Sequence, residues 1–193
     1  MIEVLQQVPL FQSLRPEDLR RLSEVARPID VGSGEVIIHL GSDSDALYVV
    51  VTGQVRIFLA DESGKEIILS LEGPGALLGE IAALDGLPRS ASASARQKTT
   101  LLKIDASAFR ALLAANEGFA MSVIAALAGR IRKLTEATHG LALQSAYRRL
   151  VVKLHEHSEE QDGKRIVTER LTHQLLADMI GCSREMVSRI MSD

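Results

Sequence analysis

Seven residues place the strongest constraint on this chain. Ala120, Ile124, Leu127, Ile131, Leu134, Thr138 and Leu141 recur at intervals of 4-3-4-3-4-3, the a/d spacing of a helix that lies along another helix. Arg130, Arg132, Lys133 and Glu136 occupy positions between them and leave only a narrow apolar stripe. A helix buried within its own chain shows a wider one. The stripe therefore predicts a long helix over residues 106–140, pairing with a second copy of the chain through residues 120–141. Asp105 suits its N-cap, and Gly140 is expected to end it.

The residues before that helix have another texture. PEDLRRLSEVA (16–26) reads as a short helix: Pro16 suits a first helical position, and Glu17 and Asp18 suit the positive end of its dipole. From residue 28 to 104, short runs alternate with Gly and Asp: EVIIHL, ALYVVV, QVRIFLA, EIILSL and TTLLKI. Runs of this length, separated by turn signals such as Thr52-Gly53 and Asp61-Glu62-Ser63-Gly64, predict a sandwich, barrel or roll. The segment GPGALLGEIAALDGLPRS (73–90) interrupts them with a Gly-rich entry, about one helical turn, and a Pro-Arg exit.

Beyond residue 140, Ser145 is expected to cap a helix over 146–158, and SEEQDGKR (158–165) reads as a polar connection with a turn-like Asp162-Gly163. Two short helices close the chain. Thr172 caps the first, whose apolar face is Leu175, Leu176, Met179 and Ile180. Gly181 permits a sharp turn. Ser183 caps the second, with Met186, Val187 and Ile190 on one side and Arg184, Glu185, Ser188 and Arg189 on the other. Two helices joined this way make a helix-turn-helix, whose second helix enters the major groove. Arginine matches guanine O6 and N7, and a carboxylate accepts from cytosine N4. Arg184, Glu185 and Arg189 thus stand where sequence readers stand.

The string IGCSREMVSRI resembles the cyclic-AMP receptor protein branch of the cyclic-AMP receptor/fumarate-nitrate regulator family of bacterial transcription regulators. The resemblance implies that Arg184, Glu185 and Arg189 read a TGTGA-like half-site and that Thr172, Ser183 and Gln174 contact phosphate. His173 stands where relatives often carry Arg. Cys182 belongs to the turn and is read as a packing residue.

The segment GEIAALDGLPRSASASA resembles the phosphate-binding cassette of cyclic-nucleotide-binding domains. The chemistry agrees. A cyclic phosphate carries one negative charge. The backbone N–H groups of a helix start after Gly79, at Glu80, Ile81 and Ala82, can neutralise it together with the Arg89 guanidinium. Ser90 can add its hydroxyl and N–H, and a buried Glu80 carboxylate can accept from a ribose 2′-hydroxyl. In the family, residues of the long helix reach the purine; the activator branch has Thr-Ser there, and this chain has Leu134-Thr135. Thr135 can still bond a purine edge, whereas Leu134 cannot.

Taken over the whole chain, the resemblance implies an α+β fold. An antiparallel, jelly-roll-like cyclic-nucleotide-binding β-roll (1–105) precedes a dimerisation helix (106–140). A winged helix-turn-helix domain (141–193), ending before its wing, completes it. The function implied is a homodimeric DNA-binding regulator under allosteric control by a cyclic nucleotide: cyclic AMP first, with cyclic GMP and cyclic di-GMP as alternatives. Double-stranded DNA and RNA polymerase are the partners implied, with a hinge near residues 139–145. A nucleotide sensor without DNA binding is the competing class.

Charge and composition fit that division. Net charge is −3, yet residues 1–105 hold 10 Lys+Arg against 15 Asp+Glu, and residues 106–193 hold 12 against 10. The second half is the weakly basic one, with Arg130, Arg132, Lys133, Arg148, Arg149 and Lys153 facing only Glu136 across a basic stretch over 130–153, and it suits a nucleic-acid reader. A single cysteine, Cys182, supports neither a disulfide nor an iron–sulfur cluster, and points to a reducing cytoplasm. His39 in a strand run, and His139, His155 and His157 near helices, form no metal-ligand spacing. No nucleophile–base pair stands out, so no enzyme is expected. The opening MIEVLQQVPLFQSL lacks the basic n-region of a secretory signal, and no apolar run is long enough for a membrane span.

Overall fold

Val, Ile and Leu in short runs favour a pleated surface that is covered on one or both faces. In the computed structural model, which describes residues 2–6, 8–43 and 45–192, these runs become strands. They are β1 (Arg27–Val31), β2 (Val36–Ile38), β3 (Ala46–Thr52), β4 (Val55–Ala60), β5 (Glu66–Glu72), β6 (Leu77–Leu78), β7 (Ser92–Ala95) and β8 (Thr99–Asp105). They build two four-stranded sheets of order β1-β8-β3-β6 and β2-β7-β4-β5. β8 runs antiparallel to β1 and β3, and β7 antiparallel to β2 and β4. This is the expected roll, with β1, β6 and β7 added to the runs legible in the sequence.

Three short helical pieces, α1 (Ile2–Gln6), a 3-10 turn (Pro9–Phe11) and α2 (Pro16–Val25), lead into the roll, and α3 (Glu80–Asp85) interrupts it. Leu47 and Val49 of β3 and Leu102 and Ile104 of β8 form one core with Leu5, Phe11, Leu19 and Leu22 of that opening segment. Phe109 and Phe119 complete it. The Phe119 ring lies 5.8 Å from Phe11 and 5.8 Å, edge-on, from Phe109, and all three are fully buried. Aromatics are only 3% of the chain, and three of its four phenylalanines meet at this point.

Two expectations for the long helix are corrected. It is not continuous from 106: the chain bends by 116° between α4 (Ala106–Ala115) and α5 (Glu117–Leu143). Asn116 makes the corner in an extended conformation, φ −137° and ψ 96°, and its amide donates to the Leu112 carbonyl at 3.1 Å. Nor does Gly140 end the helix. α5 runs through it to Leu143, and the Gln144 N–H still bonds the Gly140 carbonyl at 3.0 Å. A helical glycine costs only about 1 kcal/mol, less than the turns on either side supply. The break comes at Ser145, whose hydroxyl accepts from the Arg148 N–H and caps α6 (Ala146–Glu156).

The expected connection over 158–165 is also corrected. It is a hairpin of β9 (Ser158–Gln161) and β10 (Lys164–Val167). Asp162 and Gly163 both adopt positive φ, 51° and 73°, the requirement of the two-residue turn that Asp-Gly favours. The chain then forms α7 (His173–Ile180) and α8 (Arg184–Ser192). Leu150 of α6, Leu176, Ala177 and Ile180 of α7 and Val187 of α8 are their common core.

The chain divides into two compact units, Met1–Leu59 with Ser70–Gly129, and Ala60–Leu69 with Arg130–Asp193. Among the described residues, no single helix is long and apolar enough to cross a membrane.

Candidate functional site

The cassette sits in the first unit, between β6 and β7. Leu78 ends β6, and Gly79 turns the chain into α3 at φ 76°, a left-handed conformation that glycine adopts without strain. Gly86 ends α3 the same way, at φ 72°. The return segment then brings in Arg89. Its backbone is held by the turn at 41–42: the Arg89 N–H donates to the Ser42 carbonyl at 2.9 Å, and the Gly41 N–H donates to the Arg89 carbonyl at 2.8 Å.

The Arg89 side chain is 5% exposed and Glu80 is 4% exposed. A surface turn with a solvated Glu–Arg pair is therefore excluded. The guanidinium donates through Nη1 to the Gly79 carbonyl at 2.9 Å and through Nη2 to the Ala46 carbonyl of β3. It thus ties the entry of α3 to β3, an inner strand of the first sheet. A Cβ at residue 79 would lie 2.1 Å from Arg89 Nη1 and 3.2 Å from Ile38 Cδ1, so glycine is required twice over. Burying a guanidinium is costly unless its surroundings supply negative charge and hydrogen bonds. The arrangement is suited to an anion.

The other cassette residues lie at the margins: Ala82 is buried, while Ile81 and Ser90 are exposed. One contact escaped the sequence. Arg110 of α4 donates to the Ala83 carbonyl of α3 at 2.8 Å, fixing the cassette helix from a distant part of the chain that no local motif marks. Leu134 and Thr135 belong to the other unit. Leu134 is an exposed large hydrophobic residue, and the Thr135 hydroxyl donates to the Ile131 carbonyl at 2.9 Å. That bond leaves the lone pairs of the Thr135 oxygen as acceptors.

Along α5 the a/d stripe stays bare from residue 131 on: Ile131 is 64% exposed, and Leu134 and Leu141 are also exposed. Earlier in the helix Ile124 is exposed, while Leu127 packs against the phenylalanine-centred core.

In the second unit, α7 and α8 form the helix-turn-helix. The Thr172 hydroxyl accepts from the Leu175 N–H at 3.2 Å, and Ser183 accepts from the Met186 N–H at 3.2 Å. Both caps fall where the sequence puts them. Gly181 ends α7 at φ 64°. Arg184, Glu185 and Arg189 all project into solvent. The Glu185 carboxyl is held below its usual range by its own backbone N–H, with the Ser183 hydroxyl adding to this. It stays ionised and able to accept. Gln174 donates to Asp178 at 2.7 Å, and His173 Nδ1 lies 2.9 Å from the Ser188 hydroxyl, tying α7 to α8. Cys182 packs against the small core, and burial pushes its thiol up despite the opposing pull of Arg149.

The basic stretch is less free than its sequence implies. Lys153 pairs with Glu156 at 2.7 Å. Arg149 is engaged by two backbone carbonyls.

Residues 28–116 match the cyclic nucleotide-binding domain family, and residues 148–193 match the Crp-like helix-turn-helix domain. The chain is 35% identical over 184 residues to the cyclic AMP receptor protein of Thermus thermophilus, covering 95% of this chain and 83% of that protein. The chain belongs to the CRP/FNR family. It is also 26% identical over 197 residues to the CRP-like cAMP-activated global transcriptional regulator of Mycobacterium tuberculosis, covering all of this chain and 88% of the relative. The c-di-GMP-responsive global regulator CLP of Xanthomonas campestris shares the fold, with a TM-score of 0.79 at 22% identity, over 92% of this chain and 90% of that one. As a CRP/FNR member the chain is a DNA-binding transcription regulator with a cyclic-nucleotide domain, in a family of regulators rather than enzymes.

Proposed function

We propose that this CRP/FNR regulator acts in the cytoplasm as a homodimer whose hold on DNA is set by a cyclic nucleotide, with cyclic AMP the first candidate. The observation that carries the reading is the buried Arg89 guanidinium on the Gly79 and Ala46 carbonyls, beside the buried Glu80. A cyclic phosphate offers the Arg89 guanidinium a partner of opposite charge in place of neutral carbonyls, and the Glu80 carboxylate can accept from a ribose hydroxyl. In this reading Gly79, Glu80, Ile81, Ala82, Arg89 and Ser90 hold ribose phosphate, while Leu134 and Thr135 meet the base.

The a/d stripe over 120–141, bare from Ile131 on, is the dimer seam, with the roll (1–105), the dimer helix α5 (Glu117–Leu143) and the DNA-reading helices beyond it as functional parts. Arg184, Glu185 and Arg189 read a TGTGA-like half-site in each major groove. Thr172, Ser183 and Gln174 face phosphate, and RNA polymerase is the downstream partner. Nucleotide acts by biasing the DNA readers about a hinge near 139–145. By linkage, DNA tightens nucleotide binding by the same factor that nucleotide tightens DNA binding.

Leu134 favours a second reading in which DNA binding is kept and the effector is cyclic di-GMP, cyclic GMP or another anion. A leucine offers an adenine amino group no hydrogen bond. Calorimetric titration with cyclic AMP, cyclic GMP and cyclic di-GMP separates the two. The tightest of the three identifies the effector, and a folded dimer that binds none of them removes the nucleotide-gated reading. A gel shift on a TGTGA palindrome against a scrambled duplex tests the DNA end.

A further inference from the structure

The structure gives Arg149 a function that its place in a basic stretch conceals. α5 ends at Leu143 and α7 at Ile180. The last carbonyls of a helix have no partner within it and carry the negative end of its dipole. Arg149, on α6 between the two, reaches both. Its Nη1 donates to the Gln144 carbonyl at 2.6 Å, and its Nε to the Ile180 carbonyl at 2.8 Å. Its own N–H donates to the Ser145 carbonyl at 3.1 Å. Next to this polar bridge is an apolar one. A Cβ placed on Gly181, the turn residue between α7 and α8, would lie 2.9 Å from Leu141 Cδ2 of α5.

We infer that Arg149 is a positioning residue: it fixes the direction of the recognition helix α8 relative to the end of α5. The inference rests on the reading of α8 as the DNA reader. Arg149 suits this work because its planar fork holds two acceptors at a set angle, which a lysine ammonium on a flexible stem does not. Half-buried and hydrogen-bonded to carbonyls, the guanidinium acts on DNA through α8 and makes no phosphate contact.

The test uses the full chain with Cys182→Ala and spin labels at Lys133→Cys on α5 and Ser192→Cys on α8, diluted into excess unlabelled protein. The distance distribution between the labels is expected to be narrow, and to shift or broaden in Arg149→Met and in Arg149→Lys. Without labels, both variants should bind the TGTGA palindrome roughly tenfold less tightly, within the span usual for coupling between sites. Affinity for the scrambled duplex should stay within about twofold, as for a substitution that touches no ligand.

An unchanged distance distribution in a folded variant overturns the inference. So does an equal fall on both duplexes with a salt slope shallower by about 0.9 per chain, the mark of a lost phosphate contact. Arg149→Lys keeps the charge and decides the matter if Arg149→Met does not fold. A wild-type chain with no preference for TGTGA removes the half-site reading, while the label distances still judge Arg149.

Discussion

Two glycines at the two ends of α3 offer a matched pair of perturbations. Gly79 and Gly86 have nearly the same backbone, φ 76° and 72°. An alanine at either position adopts a left-handed conformation at a cost of about 1–2 kcal/mol. At Gly86 that is the whole cost, because nothing lies within 4 Å of the new Cβ. At Gly79 the new Cβ falls 2.1 Å from Arg89 Nη1. An arginine tip usually swings aside at little cost. This one is 5% exposed and holds two carbonyls, so moving it breaks at least one charge-assisted bond, about 1.5–3 kcal/mol. Gly79→Ala should therefore be destabilised by about 2.5–5 kcal/mol in urea unfolding. Gly86→Ala should lose about 1–2 kcal/mol. Calorimetry with cyclic AMP, cyclic GMP and cyclic di-GMP should show the tightest nucleotide weakened in Gly79→Ala and unchanged in Gly86→Ala. Equal unfolding energies in the two variants, or unaltered nucleotide affinity in a folded Gly79→Ala, would refute the reasoning.

Phe119→Ala removes the ring that touches both Phe11 and Phe109 and should cost about 3–5 kcal/mol, read as a fall in melting temperature. Thr172→Ala and Ser183→Ala each remove one N-cap and should cost about 1 kcal/mol in chemical unfolding. Ser183→Ala should also move the Glu185 carboxyl titration, followed by NMR, upward toward the ordinary range, because the Ser183 hydroxyl helps to hold it down. The Cys182 thiol is pushed up by burial, so the folded chain holds its proton to higher pH than the unfolded chain does. Stability should then decline as pH rises through the ordinary thiol value of about 8.5. Cys182→Ala should flatten that decline in urea titrations at successive pH values.

The cassette and the helix-turn-helix were legible because each is local. Gly79, Glu80 and Arg89, or Thr172, Gly181 and Ser183, carry their chemistry within a dozen or so neighbours. What the sequence hid depends on partners far along the chain. β7 reads Ser92-Ala-Ser-Ala95, with little strand propensity, yet it lies between β2 and β4. Its Ser94 is buried and accepts from Arg56 Nε of β4 at 2.8 Å. β1 contains Pro28, which an edge strand tolerates, and among the described residues it pairs with β8 alone. The corner at Asn116 separates two segments that each favour a helix. The edge-on contact of Phe109 with Phe119 spans that corner, and neither segment shows it alone. Arg149 misled in the opposite direction, because charge counted along a sequence does not show which guanidinium is already bonded to the backbone.

The close approach of Arg89 to residue 79 also constrains how this chain can change over generations. While the arginine is present, any side chain at 79 collides with it. Once the arginine is shortened, the nearest obstacle left to a Cβ at 79 is the movable Ile38 Cδ1, at 3.2 Å, and that contact together with backbone strain of about 1–2 kcal/mol is what still favours glycine. An alanine admitted at that stage would block any later return of the arginine. On the reading proposed above, loss of Arg89 is reversible by one substitution until a side chain enters at 79, after which recovery requires two in a fixed order, so loss of sensing acts as a ratchet.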